Sequence, residues 1–167
     1  DSENVGGAYL NATSDSVTME NCTVCNNSAA NMSGGPGTSG NVAIKNSIIF
    51  YNEAPSNSNW HVYSSGATCM YSCTEPAVGG PGNISADPRL AHPGSGFFKL
   101  AADSPCINAG TNDLSWMTSA TDLIGRPRII NATVDMGAFE STNEPIIWVS
   151  TPVIDFDAVT LGQVVVT

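Results

Sequence analysis

The chain has 167 residues, of which 41% are hydrophobic and only 12% charged, and its five Lys and Arg against 15 Asp and Glu leave a formal charge of −10. That length fits one domain, or one domain and the start of another, and the acidic balance excludes the basic footprint of a nucleic-acid binder and adhesion to anionic membranes. Polar surface supplied by Gly, Ser, Asn, Thr and Ala in place of charge is the balance of an extracellular β-rich protein.

In chain order, Gly6-Gly7 permit a tight bend before the short apolar stretch Ala8-Tyr9-Leu10. The stretch that organises the chain follows. Val17-Thr-Met-Glu-Asn-Cys-Thr-Val24 returns 25 residues later as Val42-Ala-Ile-Lys-Asn-Ser-Ile-Ile49, and after another 26 as Thr68-Cys-Met-Tyr-Ser-Cys-Thr74. A fixed period of this length, in strand-forming residues, is the mark of stacked solenoid coils. Val17 and Met19, Val42 and Ile44, Thr68 and Met70 alternate as one buried face, with Glu20, Lys45 and Tyr71 pointing away. The alternation then slips by one residue at Asn21, Asn46 and Ser72, residue types that tolerate left-handed or bent backbone, and the slip reads as a corner.

Neighbouring coils lie about 4.8 Å apart, so equivalent positions are expected to stack into two ladders, Asn21-Asn46-Ser72 and Cys22-Ser47-Cys73. Asn27 and Asn52 share a further offset. These residues resemble the repeats of right-handed parallel β-helices of secreted bacterial proteins, in which an Asn-Cys or Asn-Ser step follows two alternating apolar residues. The alternative is a β-sandwich with chance similarity between two strands.

Between the copies, Met32 to Gly40 is a Gly, Pro, Ser and Thr loop, and Asn52 to Asn59 is a second polar turn after the apolar strand Ile48-Ile-Phe-Tyr51. Trp60-His-Val-Tyr-Ser64 reads as a short strand. Trp60, His61 and Tyr63 are candidate carbohydrate contacts, since aromatic faces with polar edges suit a sugar; the competing reading has Trp60 and Tyr63 packing over coil edges.

Five cysteines, Cys22, Cys25, Cys69, Cys73 and Cys106, cannot all pair within the chain. Cys22 and Cys25 have the spacing of a zinc or redox pair, but no second Cys-x-x-Cys follows and the histidines are His61 and His92, so no metal and no cofactor is expected. With Cys22 and Cys73 two rungs apart, roughly 9.6 Å, they are expected to be buried free thiols. Asn-x-Ser/Thr sites at Asn11, Asn21, Asn26, Asn31, Asn83 and Asn131 follow from composition. No run approaches the ~18 apolar residues of a membrane span. The start Asp-Ser-Glu-Asn carries no signal-like segment, and reads as lying inside a longer protein or after processing.

After Cys73 the repeat breaks into a Gly/Pro loop, Pro76 to Gly82, and the register changes. Asn83-Ile-Ser-Ala-Asp-Pro-Arg-Leu90, Gly96-Phe-Phe-Lys-Leu100, Asp103-Ser-Pro-Cys-Ile-Asn-Ala-Gly110, Asp122-Leu-Ile-Gly-Arg-Pro-Arg128 and Val134-Asp-Met-Gly-Ala-Phe-Glu140 follow in that order. Together they resemble the choice-of-anchor Q domain, a C-terminal module of bacterial surface β-helix proteins; Asn108 stands where that family usually has Asp, and Arg89-Leu90 replaces its apolar-aromatic pair. The resemblance implies a cap over the open apolar end of the last coil, with Phe98 and Leu100 continuing the sheet. Asp122, Arg126, Arg128, Asp135 and Glu140 are the densest charges. Paired carboxylates serve glycoside hydrolysis, but each acid here sits in a turn context where it caps backbone N–H groups with arginines at hand, so a structural charge network is expected and no catalytic residue is assigned.

Ser141 to Pro145 reads as a linker, and Ile146 to Thr167 is strand material with a turn at Leu161-Gly-Gln163. It resembles the first strands of an immunoglobulin-like module, too few to close a sandwich. Either the protein continues or another chain completes them by edge pairing.

The expected fold is therefore all-β: a right-handed parallel β-helix of about three coils over residues 1–82, a capping module over 83–140, a linker over 141–145 and trailing strands over 146–167. The expected function is mechanical, in a secreted or cell-surface protein whose partner through 146–167 is the cell envelope or a neighbouring subunit, with carbohydrate as a further partner, no nucleic acid and no membrane insertion. The alternatives are a β-helix polysaccharide lyase, whose chemistry among these coils rests on Glu20, Lys45 and His61 alone, and a fibre or surface-layer subunit assembled by strand exchange.

Overall fold

The computed structural model describes residues 6–91, 93, 96 and 98–142, so the trailing strands expected over 146–167 and most of the linker lie outside the described residues. Among the described residues the protein is all-β, with seven strands and a 3-10 turn at Met117–Ser119.

Three copies of one unit build two parallel sheets. Each unit is a long strand, a two-residue corner and a short strand: β1 (Tyr9–Glu20) with β2 (Thr23–Cys25), then β3 (Gly37–Lys45) with β4 (Ile48–Phe50). In the third copy the long strand is split into β5 (His61–Val62) and β6 (Thr68–Met70), ahead of β7 (Cys73–Thr74). β3 pairs with β1 on one side and with both β5 and β6 on the other, while β4 lies between β2 and β7, every pairing being parallel. Register keeps the 25-residue period: Met19 lies beside Ile44 and Ile44 beside Cys69; Thr23 lies beside Ile48 and Ile48 beside Cys73.

The corners explain why. Asn21, Asn46 and Tyr71 have φ of 51°, 49° and 50°, a left-handed conformation that side chains other than Asn, Asp and Gly adopt at a cost. A second set of corners, Asn26 and Tyr51, repeats the geometry at 58° and 57°.

Here the sequence expectation for the third copy is corrected. Its offset is 25 residues, so Tyr71, rather than Ser72, occupies the corner, Ser72 falls at the Ser47 position, and Cys73 lies beside Ile48. Cys69 is accordingly buried while Thr68 is exposed and Met70 half-buried, the reverse of the expected alternation. The parallel register of β6 on β3 and of β7 on β4 outweighs the poor fit of a tyrosine to left-handed backbone.

Two apolar clusters fill the interior. Met19, Val42, Ile44, Ile49 and Cys69 form one. The other joins Ile48, Phe50 and Cys73 of the repeated strands to Leu90, Leu100, Cys106 and Met136 of the C-terminal segment. At about 1.5–3 kcal/mol per buried large aliphatic side chain, this second cluster is what fastens the segment to the last copy. Ile84 extends the β4–β7 sheet by one parallel bridge to Cys73. Leu100, expected to continue that sheet, instead meets Leu90 in an antiparallel bridge, with Ala91 N–H donating to Lys99 O and Ala101 N–H to Arg89 O.

Candidate functional site

The corner following β1, β3 and β6 carries a ladder of side-chain to main-chain hydrogen bonds. Cys22 N–H donates to Ser47 Oγ (3.2 Å), Ser47 N–H to Ser72 Oγ (3.1 Å) and Ser72 N–H to Asn83 Oδ1 (3.0 Å). Each rung also donates back along its own chain, Cys22 Sγ to Glu20 O, Ser47 Oγ to Lys45 O and Ser72 Oγ to Met70 O. A small side chain with both a donor and an acceptor is what this position needs, which Cys and Ser share and Cys73 does not have to supply. At the next corner Asn27 N–H donates to Asn52 Oδ1 and Asn52 N–H to Asn59 Oδ1.

The Asn21–Asn46 ladder differs. Asn46 Nδ2 reaches Asn21 Oδ1 at a long 3.5 Å, and its stronger partners come from the C-terminal segment: Nδ2 donates to Thr111 O (2.9 Å) and Oδ1 accepts Thr111 N–H (2.8 Å). Gly137 N–H donates to Asn46 O and Ala138 N–H to Thr23 Oγ1 (3.0 Å). Trp116 Nε1 donates to Glu20 Oε2 at 2.8 Å. The segment therefore does more than end the stack. It runs back along the corners to the first copy.

The five charged residues named above lie in this junction. Asp122 accepts the N–H groups of Ile124 and Arg126 on Oδ1 and that of Glu140 on Oδ2. Asp135 accepts Asn108 N–H and Ser141 N–H on its two oxygens, and Glu140 Oε2 accepts Asp135 N–H. Arg128 donates to Glu140 Oε1 (3.4 Å), Gly137 O (3.0 Å) and Asn21 O (3.5 Å), while Arg126 donates to Thr142 Oγ1. Burial pushes the Glu140 carboxyl up to about 7, further raised by Asp135 beside it and opposed by the Asp135 N–H and Arg128. Burial likewise raises Asp135, against the N–H groups of Asn108 and Ser141. A general acid must reach its substrate, and Asp135 and Glu140 are each only 2% exposed with their oxygens already engaged. Asn108 has φ of 52°, and its amide can donate to Thr133 O (3.0 Å), a bond that an Asp carboxylate at this position could not make.

No family model, curated protein or solved structure matches the chain.

A second constellation lies on the outer face of the first sheet. His61 and Tyr63 meet edge to face at 4.3 Å, and Tyr63 meets Tyr9 at 5.6 Å. Tyr9 and Tyr63 are 54% and 37% exposed, and the buried Gly37 pairs with both Tyr9 and His61. Trp60, grouped with His61 and Tyr63 from sequence, is separated from them: it packs against the interior cluster and its Nε1 donates to Thr38 Oγ1 (3.1 Å). Strand alternation places 61 and 63 on one face and 60 on the other. Tyr9 went unnoticed because its proximity depends on the register of β1, β3 and β5.

An open groove of about 780 Å³ lies at the second corner, lined by Phe50, Tyr51, Glu53, Glu75 and Pro76 among others. Tyr51 donates its hydroxyl to Asp87 nearby, and burial together with that bond raises the phenol well above its usual range. Among the described residues no group of three or more His, Cys, Asp or Glu is placed to hold a metal ion, and no helix is long and apolar enough to cross a membrane.

Proposed function

We propose that the parallel units are coils of a right-handed β-helix and that the chain is a structural module of a secreted or cell-surface protein. In this reading residues 83–140 are the capping module that the choice-of-anchor Q resemblance suggests, and residues 146–167 pass the load to the envelope or to a neighbouring subunit. The observation that carries it is the return of the C-terminal segment to the first coil, where Arg128 binds Asn21 O, Ala138 binds Thr23 and Trp116 binds Glu20. Such bonds resist shear between coils, which an end cap alone would not. Hydrogen exchange on an Arg128→Ala variant tests it. Protection is expected to fall in Thr18–Cys25 and Lys45–Ser47 as well as in 120–140; a change confined to 120–140 would sink the clamp. Cleavage of a polysaccharide by the purified chain would overturn the mechanical reading altogether.

The Tyr9–His61–Tyr63 face favours a second reading, carbohydrate binding. Two exposed tyrosine rings flanking His61 suit the apolar face of a sugar ring. Titration with neutral oligosaccharides tests it: saturable binding lost in Tyr63→Ala supports this reading, and no binding to any of them rules it out. The lyase alternative is the poorer of the two, since Glu20, although it lies directly beside Lys45 in the sheet, is held by Trp116.

A further inference from the structure

The two ends of the stack differ. Beyond the third copy the C-terminal segment takes up free main-chain groups: Tyr71 N–H donates to Pro81 O, Thr74 N–H to Ile84 O, Ile84 N–H to Ser72 O, and Asn83 Nδ2 to Cys69 O. At the other end, among the described residues, β1 pairs with β3 alone and β2 with β4 alone, so each keeps one edge without a strand. Burial follows the same contrast. Val42, Ser47, Ile48 and Ile49 of the second copy are completely buried, whereas Val17, Cys22, Thr23 and Val24 at the matching places of the first are only half-buried.

One side chain marks the kind of partner this edge takes. Asn46 Nδ2 donates to Asn21 Oδ1 of the copy before it, whereas Asn21 Nδ2 is buried and has no acceptor. At this corner an open cavity of about 480 Å³ is lined by Asn21, Cys22 and Thr23 of the first copy and by Asp122, Leu123 and Arg128 of the C-terminal segment. Arg128 Nε is a second buried donor without an acceptor, and Leu123, 72% exposed, gives the cavity an apolar wall.

We infer that the free edge of β1 and β2 is a stacking surface for one more unit of this repeat, carried ahead of β1 in the same polypeptide. The inference rests on the reading of the units as stacked coils. The corner sets the occupant. Asn21 turns the edge at φ 51°, so a straight strand can follow β1 or β2 but not both. A second copy of the chain related by a twofold axis would run antiparallel to β1 and carry its own corner to the far end of that strand. A parallel unit with Asn at its corner pairs with both strands at the ~4.8 Å spacing, covers Val17 and Val24, and brings an amide oxygen to Asn21 Nδ2.

The test joins a second copy of residues 34–57 directly ahead of Gly6 in the whole chain, in place of residues 1–5, and follows amide hydrogen exchange in the original strands. A control extension carries the same residues in scrambled order. The ordered extension should slow exchange in Tyr9–Glu20 and Thr23–Cys25 by about tenfold or more relative to the scrambled one, the effect of newly paired edge groups. Equal exchange in the two, with β3 and β4 protected, overturns the inference and leaves the coil reading standing. Fast exchange in β3 and β4 of the unextended chain sinks the coil reading and the inference with it. The unextended chain also gives a second measure, independent of how the extension folds: its β1 and β2 should exchange faster than its β3 and β4. Equal protection there overturns the inference, the edge then being covered by a second copy if the chain sediments as a dimer and by residues 146–167 if it sediments as a monomer.

Discussion

Asn46 and Thr111, 65 residues apart, exchange two hydrogen bonds, the Asn46 amide donating to Thr111 O and accepting Thr111 N–H. One side chain thus completes a main-chain pair that no strand supplies, and it does so from left-handed backbone at φ 49°. Asn46→Ala should destabilise by about 3 kcal/mol, from two main-chain groups left unpaired and the cost of a Cβ in left-handed backbone. Asn46→Gly relieves the second cost alone, so it should fall about 1 kcal/mol short of the Ala variant in a denaturant titration. Equal losses would mean that the backbone at this corner is not strained.

The Cys22, Ser47 and Ser72 rungs make a sharper contrast. Cys22→Ser keeps a donor for Glu20 O and should change stability by no more than about 0.5 kcal/mol. Ser47→Ala strands the Cys22 N–H, a loss of roughly 1–3 kcal/mol. Urea midpoints of the two variants decide whether the ladder or the thiol matters.

What could be read from the sequence follows the range of the interactions. Asn21 and Asn46 announce their corners because Asn tolerates left-handed backbone, and the alternation of β1 and β3 is local. Tyr71 hides the third corner: nothing in a tyrosine favours φ of 50°, so Ser72, the better turn former, drew the register one residue out. Asn83, which completes the Ser72 rung, comes from a loop beyond the repeat and breaks its spacing. The acids of the Asp122–Glu140 stretch were legible as acceptors of nearby N–H groups. That Arg128 reaches Asn21, 107 residues away, was not, since only the folded path of the segment brings them together.

At Gly137 that path runs tightly against the repeated strands. The Gly137 φ is 97°, and a Cβ there would lie 2.7 Å from Thr23 Oγ1 and 2.9 Å from Ile48 Cδ1. Gly137→Ala should cost about 2–4 kcal/mol, since strained backbone and overpacking act together. Thermal melting should show the drop, whereas Gly125→Ala, also at positive φ but with open space around it, should cost about 1 kcal/mol.

The pH dependence has a sign set by Glu140. Its carboxyl titrates near 7 in the folded protein against 4.5 as the ordinary value, so between these limits the folded state binds more protons than the unfolded chain. Stability then falls as pH rises from about 4.5 to 7 and levels off above. Asp135, also raised, adds to the same slope from a lower starting pH. Asp87 acts in the opposite sense: the Tyr51 hydroxyl and the Arg89 N–H lower it, so its contribution is lost as pH falls through the acid range. The melting temperature should therefore be higher near pH 5 than near pH 8, and decline again in stronger acid. Glu140→Gln removes the titration and should flatten the upper slope. It should also lower stability at every pH, since its NH2 must face either Arg128 or the Asp135 N–H, both donors. A melting temperature that rises from pH 5 to pH 8 in the wild type would mean that Glu140 is ionised throughout and that Arg128, rather than burial, governs the junction.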